Sequence, residues 1–204
     1  MTIMKQTILC LDMEWVLTPE IWEELWKKTG IKELELTTKD IADYDELMKL
    51  RLKIMNENNI GIDYIQSIVS KLNPYDWVIE FLDWARTKMQ VIILSDTYIE
   101  FVKPLVKKMK NPTIFCHNLL IDKQGKITGY KLRINDQKTK AVKSFKELNF
   151  NVIAAWDSFN DTGMLKEADN WFFFKPWKKA VEQFPNIKIA NNYLELKNLI
   201  EKCL

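Results

Sequence analysis

Short apolar runs alternate with helix-like segments along this chain, and most of the runs stop at a polar residue. Thr7–Leu11 is too short and too apolar for a surface helix and ends at Asp12, which predicts a buried strand. Pro19 then opens an amphipathic helix in which Ile21, Leu25 and Trp26 share one face, and Gly30 stands where a helix is usually stopped by a glycine. Leu47, Leu50 and Ile54 recur at helical spacing across Asp45–Asn56, and Ile65, Ile68, Val69 and Leu72 do so across Asp63–Leu72, with Pro74 closing the block. Residues 18–74 therefore read as all-helical.

From Tyr75 the pattern changes. A helix over Val78–Thr87 leads into the β-branched run Val91–Leu94, which ends at Ser95-Asp96-Thr97. After another helix, Thr113–Cys116 predicts a short strand, and Leu119–Asp122 with Lys126–Leu132 flank Lys123-Gln124-Gly125 as a small hairpin. Thr139–Leu148, Asn160–Ala168, Lys178–Phe184 and Tyr193–Lys202 read as helices; Val152–Ala155, Trp171–Phe174 and Ile187–Ala190 read as strands. Strands alternating with helices imply an α/β fold with a doubly wound parallel sheet, carrying one helical insertion. No internal repeat or low-complexity tract interrupts it.

Composition narrows the function classes. The 204 residues are 47% hydrophobic and 28% charged, enough to bury a sizeable core. A net charge of +2, from 30 basic and 28 acidic residues, gives no electrostatic reason to expect nucleic acid or an anionic membrane as partner. Cys10, Cys116 and Cys203 are odd in number and lack metal-ligand spacing, so they read as free thiols of a reducing compartment. The start lacks the pattern of a signal peptide, and no stretch reaches the roughly 18 apolar residues of a membrane span. Cytoplasmic localisation is the expectation.

Three predicted strands end in acidic or hydroxyl residues: Asp12-Met13-Glu14, Ser95-Asp96-Thr97, and Asp157-Ser158-Phe159-Asn160-Asp161. Any one such aspartate is often only a cap or turn residue. If the strands are parallel neighbours, however, Asp12, Glu14, Asp157 and Asp161 crowd into one crevice at their carboxyl ends. Carboxylates that close require a neutralising cation, and an all-oxygen cluster suits Mg²⁺.

In this order and spacing the motifs resemble the haloacid dehalogenase-like superfamily over nearly the whole chain. Asp12-Met13-Glu14 matches its first motif, Ser95 its second, Lys138 or Lys140 its third, and Asp157 to Asp161 its fourth; Lys138 is preferred as the residue ahead of the helix in an Asp-x-Lys pattern. Asp12–Leu17 followed by Pro19-Glu20-Ile21-Trp22, together with Tyr44-Asp45, Val91–Thr97 and Cys116-His117, is more narrowly similar to the phosphoserine phosphatase branch. Within that branch it resembles the type that also transfers phosphate from phosphoserine to homoserine. The resemblance implies a core from residues 1–17 and 75–204, with 18–74 as a small helical cap. It also implies Asp12 as covalent nucleophile, Glu14 as acid and base, and Mg²⁺ held by Asp12, the Glu14 carbonyl, Asp157 and Asp161. Ser95 and Lys138 would bind phosphate, and Glu20 and Arg51 the substrate's amino and carboxylate groups, with Asp96, Thr97 and Asn160 beside them. His117 reads as structural. Phosphoserine is the expected substrate and homoserine a second acceptor, with the chain a monomer or homodimer. A phosphatase for another small phosphomonoester, or an impaired member acting as a binding protein, are the competing readings.

One departure stands out. The chain has 5 glycines and 8 tryptophans, and related sequences carry glycine where this one has Trp15, Trp77, Trp156 and Trp171. Glycine serves where the backbone needs positive φ or close approach, which an indole cannot supply. Trp15 is expected to crowd the pocket beside Asp12 and Glu14, and Trp156 to strain the loop holding Asp157. A glycine codon rendered as tryptophan would produce this pattern.

Overall fold

The computed structural model describes residues 5–38, 40–157, 162–184 and 186–204. Seven strands form one sheet: β1 (Gln6–Leu11), β2 (Gln90–Tyr98), β3 (Thr113–Ile121), β4 (Ile127–Lys131), β5 (Phe150–Trp156), β6 (Asn170–Phe174) and β7 (Ile189–Ala190). Their order across the sheet is β4-β3-β2-β1-β5-β6-β7, parallel throughout except for β4 at one edge. The direction of winding reverses between β2–β1 and β1–β5, so β1 lies at the switch point of a doubly wound sheet.

The helices are α1 (Ile21–Thr29), α2 (Tyr44–Glu57), α3 (Ile62–Val69), α4 (Val78–Lys88), α5 (Ile99–Lys108), α6 (Gln137–Glu147), α7 (Thr162–Glu167), α8 (Lys178–Gln183) and α9 (Tyr193–Glu201), with a 3-10 turn at Lys32–Glu35. The central strands are apolar on both sides because both faces are covered. Leu9, Leu11, Ile93, Ile153, Phe172 and Phe174 pack on one face against α4, α5, α9 and the helices of residues 21–69. Ile8, Cys10, Val152, Ala154, Trp156 and Phe173 point to the other face, against α6, α7 and α8. The alternation follows directly from the period of two in a strand.

Local signals set the boundaries. Glu20 accepts the Glu23 N–H as N-cap of α1, and Gly30 closes that helix at φ 72°. Asp43 caps α2 in the same way through the Glu46 N–H. Strand β3 is longer than the two pieces its sequence suggests. Thr113–Phe115 pair in parallel with β2, and Asn118–Ile121 pair antiparallel with β4, so one continuous strand serves both neighbours. The β3–β4 hairpin also meets the helices: the Ile62 N–H donates to the Gly125 carbonyl at 2.9 Å, and the Tyr130 hydroxyl donates to Asp45. Among the described residues no helix is long and apolar enough to cross a membrane.

Candidate active site

The centre of the sheet positions the first acidic residue. One step beyond β1, the Asp12 N–H donates to the Ala155 carbonyl at 3.3 Å and keeps the ends of β1 and β5 in step. Asp12 and Asp157 therefore leave adjacent strands at the reversal of winding, where ligands of open α/β sheets bind. Both are buried and line one cavity of about 1100 Å³. Asp12 is held at two points: its Oδ1 accepts the Met13 N–H at 2.7 Å, and its Oδ2 accepts from Lys138 Nζ at 3.0 Å.

Beyond Asp12 the chain folds into a tight turn. The N–H groups of Leu17 and Thr18 both donate to the Met13 carbonyl, and the Trp15 N–H donates to the Thr18 carbonyl at 2.8 Å. The turn presents Glu14 to the cavity, where its Oε1 accepts the Ile21 N–H at 3.1 Å at the start of α1. Burial, reinforced by the neighbouring charges of Glu20 and Asp12, pushes the Glu14 carboxyl up to about 8, against the helping hydrogen bond from Ile21 and the charge of Lys138. Glu14 is thus protonated at neutral pH, beside an aspartate paired with a lysine. A carboxyl group raised in this way beside a second acidic residue is a mark of a functional site.

Lys138 lies in the first turn of α6, not ahead of it: Gln137 already begins the helix. It is buried and reaches Asp12 and, at 3.4 Å, Asp96, whereas Lys140 two residues on is exposed. Burial alone would raise the Asp96 carboxyl, but Lys138 and hydrogen bonds from His117 and Gln137 hold it well below the usual range. His117 is buried; its Nδ1 accepts the Arg133 N–H at 3.1 Å, which leaves Nε2 as the donor facing Asp96 at 3.5 Å. Gln137 donates to the Ser95 carbonyl at 2.6 Å and to Asp96 at 3.1 Å.

Across the cavity, Arg51 on α2 is buried with its guanidinium 4.1 Å from the Trp22 ring centroid and donates to the Leu36 carbonyl at 2.7 Å. Its Nε is buried without a hydrogen-bond partner in the structure, a donor still to be satisfied. Glu20 faces the same space, and burial raises its carboxyl while the Arg51 charge opposes that rise.

Asp12, Glu14, Glu20, Arg51, Asp96, Thr97, Lys138 and Asp157 all border the one cavity. Ser95 is buried within β2, which runs on to Tyr98 and does not stop at Ser95 as the apolar run suggests; its Oγ accepts the Thr97 N–H at 3.3 Å, and it does not border the cavity. Asn160 and Asp161 lie outside the described residues. Trp15 borders the cavity as expected, while Trp156 is a fully buried strand residue in extended conformation and not part of a strained loop. Sequence reading missed Gln137, whose only signal is its place between Asp136 and Lys138. It also missed the pairing of the Tyr44 and Tyr98 hydroxyls at 2.7 Å, which join residues far apart in the chain.

Among the described residues no three of His, Cys, Asp or Glu gather into a metal-binding group. The donors that Asp12 and Asp157 supply are nonetheless all oxygen, and two carboxylates completed by waters and a substrate phosphate are a usual Mg²⁺ environment.

No protein-family model matches the chain. It is 45% identical over 190 residues to the phosphoserine phosphatase ThrH of Pseudomonas aeruginosa, covering 93% of both chains. It is equally 45% identical over 190 residues to a phosphoserine phosphatase of Pseudomonas syringae pv. tomato, covering 93% of this chain and 80% of that one. Among solved structures, one described as the phospho-aspartyl intermediate analogue of phosphoserine phosphatase superposes with a TM-score of 0.76 at 17% identity, covering 98% of this chain and 99% of that one.

Proposed function

The chain belongs to the phosphoserine phosphatase branch of the haloacid dehalogenase-like superfamily, and from that membership we propose that it hydrolyses phosphoserine through a phosphate ester on Asp12. One observation carries the reading: Asp12 is fixed by Met13 and Lys138 while Glu14, two residues on, keeps its proton at neutral pH.

The two carboxyl groups divide the chemistry. An Asp12 oxygen attacks phosphorus, the bond from phosphorus to the serine oxygen breaks, and the Glu14 proton passes to that oxygen as it leaves. Glu14, now a carboxylate, takes a proton from water; the water oxygen attacks phosphorus, the bond to Asp12 breaks, and inorganic phosphate departs. Lys138 neutralises charge on Asp12 and on the phosphoryl oxygens. Asp12, the Glu14 carbonyl and Asp157 would hold Mg²⁺, with Asp161 in support. When bound, the ion screens the phosphate from Asp12 and draws off charge in transfer. Arg51 and Glu20 suit the carboxylate and ammonium of a small amino acid, and the unsatisfied Arg51 Nε supports the first half of that assignment.

In this reading residues 18–74 are the cap and residues 1–17 with 75–204 the core, so that the cap selects the substrate and the strand ends do the chemistry. Homoserine replaces water as acceptor in the second step, since its hydroxyl offers the same proton and nucleophile. Three unpaired cysteines fit a cytoplasmic protein.

The test is phosphate release from a panel of phosphomonoesters with and without Mg²⁺. Phosphoserine should lead the panel, and Asp12→Asn should abolish release. Turnover that survives Asp12→Asn, or a panel led by an ester lacking an amino acid moiety, refutes the assignment. Addition of homoserine should divert product from free phosphate to phosphohomoserine.

A further inference from the structure

Eight described residues other than glycine have positive φ. Four are Asn59, Asn111, Asn149 and Asp136, the residue types whose short polar side chains tolerate that region. The other four are Lys110 and Lys175, and Trp15 at φ 64° and Trp77 at φ 72°. A bulky side chain there is an outlier, and glycine is the residue that takes such a conformation without strain. Tryptophan supplies only 8 of 204 residues, yet it holds two of these places; glycine, with 5 residues, is far below the roughly 7% that is usual.

Neither ring explains its position. Trp77 precedes α4 as a left-handed N-cap with no side-chain cap bond, and its residue is 71% exposed. Trp15 sits in the turn that presents Glu14, is 36% exposed, and meets another partly exposed indole edge-on, Trp177 at 5.9 Å. By contrast, Trp22 is buried on α1 and lies against the Arg51 guanidinium, the environment an indole would be chosen for.

We infer that positions 15 and 77 are glycine in the protein as its own ribosomes make it, and that both are encoded by a UGA codon rendered here as tryptophan. UGA is a stop in the standard code and has been reassigned to either tryptophan or glycine in variant codes. Reading a glycine-UGA gene with a tryptophan-UGA table produces three things together: surplus tryptophan, a shortage of glycine, and indoles at left-handed backbone positions, which glycine takes without strain. All three occur in this chain. The inference stands on backbone geometry and composition, independent of the substrate. Its consequence for the site is direct: Trp15 borders the cavity beside Asp12 and Glu14, and glycine there leaves that wall open to a ligand.

Peptide mapping by mass spectrometry of the protein purified from its natural source tests this. Glycine at 15 and 77 with tryptophan at 22 is the expected result; tryptophan at either 15 or 77 overturns the inference. Recombinant chains give a second measurement. Trp15→Gly with Trp77→Gly should raise Tm by roughly 2–4 °C for each site, while Trp22→Gly should lower it. A double variant that melts at or below the temperature of the chain as written refutes the conformational argument, whatever its activity.

Discussion

Replacing Glu14 by glutamine should stabilise the protein while removing its activity. The folded protein keeps this carboxyl protonated up to about pH 8, against an ordinary value of 4.5. Below pH 4.5 the group is neutral in both the folded and unfolded chains and costs nothing. As pH rises towards 8 the unfolded chain releases the proton and the folded chain does not, so stability falls by about 1.4 kcal/mol for each pH unit. At pH 7 that loss is on the order of 3 kcal/mol, and above the folded titration point it levels off. Glutamine has no proton to lose, and its Oε1 can still accept the Ile21 N–H that Glu14 accepts at 3.1 Å. Denaturant unfolding of both chains without metal, at half-unit steps from pH 4.5 to 8.5, follows this group together with the Glu20, Asp12 and Lys138 charges that face it, because titrations remote from position 14 cancel in the difference. Glu14→Gln should match the wild type near pH 4.5 and exceed it by roughly 3 kcal/mol at pH 7, a gain of about 6–12 °C in Tm for a chain of this size. Curves that run parallel across that window would show that Glu14 ionises normally, and the assignment of acid and nucleophile would go with it.

Other substitutions probe the remaining walls. Arg51→Lys keeps a charge but loses both the planar contact with Trp22 and the fork that suits a carboxylate; KM for phosphoserine should rise at least about 10-fold, while KM for an ester without a carboxylate stays within about two-fold. A common rise for both substrates would place Arg51 outside substrate recognition. His117→Phe removes the donor facing Asp96 at 3.5 Å; kcat should fall several-fold with KM little changed, and His117→Gln should restore most of it, whereas a purely packing role would be rescued better by Phe. Tyr193→Phe deletes the hydroxyl that donates to the buried Val16 carbonyl at 2.6 Å, and chemical denaturation should show a loss of about 1–3 kcal/mol, with no loss refuting the bond's contribution.

Much of this site could be read along the chain because each of its main parts has a local signature. Apolar runs ending in Asp12 and Asp157 announce strands and their carboxyl ends, and the parallel sheet then brings those ends together, whereas β2 runs past Ser95 to Tyr98. The Asp-x-Lys pattern favours Lys138 over Lys140 along the chain, and the phase of α6 puts Lys138 against Asp12 at the centre of the sheet while Lys140 faces solvent. Continuity of β3 was hidden because Cys116-His117-Asn118 interrupts the apolar pattern, although His117 is buried as the strand crosses from one neighbour to the other. Networks of long sequence separation were invisible for a general reason: Gln137 meeting Ser95, or Tyr44 meeting Tyr98, is a property of packing and leaves no periodic trace. The strain at Trp15 and Trp77 shows the reverse case, where composition raised a question that backbone geometry answered for two positions. Trp156, in regular strand conformation, shows that geometry does not require glycine at every such place.

The β3–β4 hairpin ties the helical layer to the rim of the sheet. It grips that layer at two points, the first residue of α3 through Gly125 and the early part of α2 through Tyr130, and the grip at Gly61 is close enough that an added methyl would stand 2.9 Å from the Gly125 carbonyl oxygen. On the other side of the same layer Lys32, Leu36, Thr37 and Asp40 border the cavity. Two stretches far apart in the chain are thus tied into one packed unit, and Gly61→Ala would have to push the hairpin turn aside to fit.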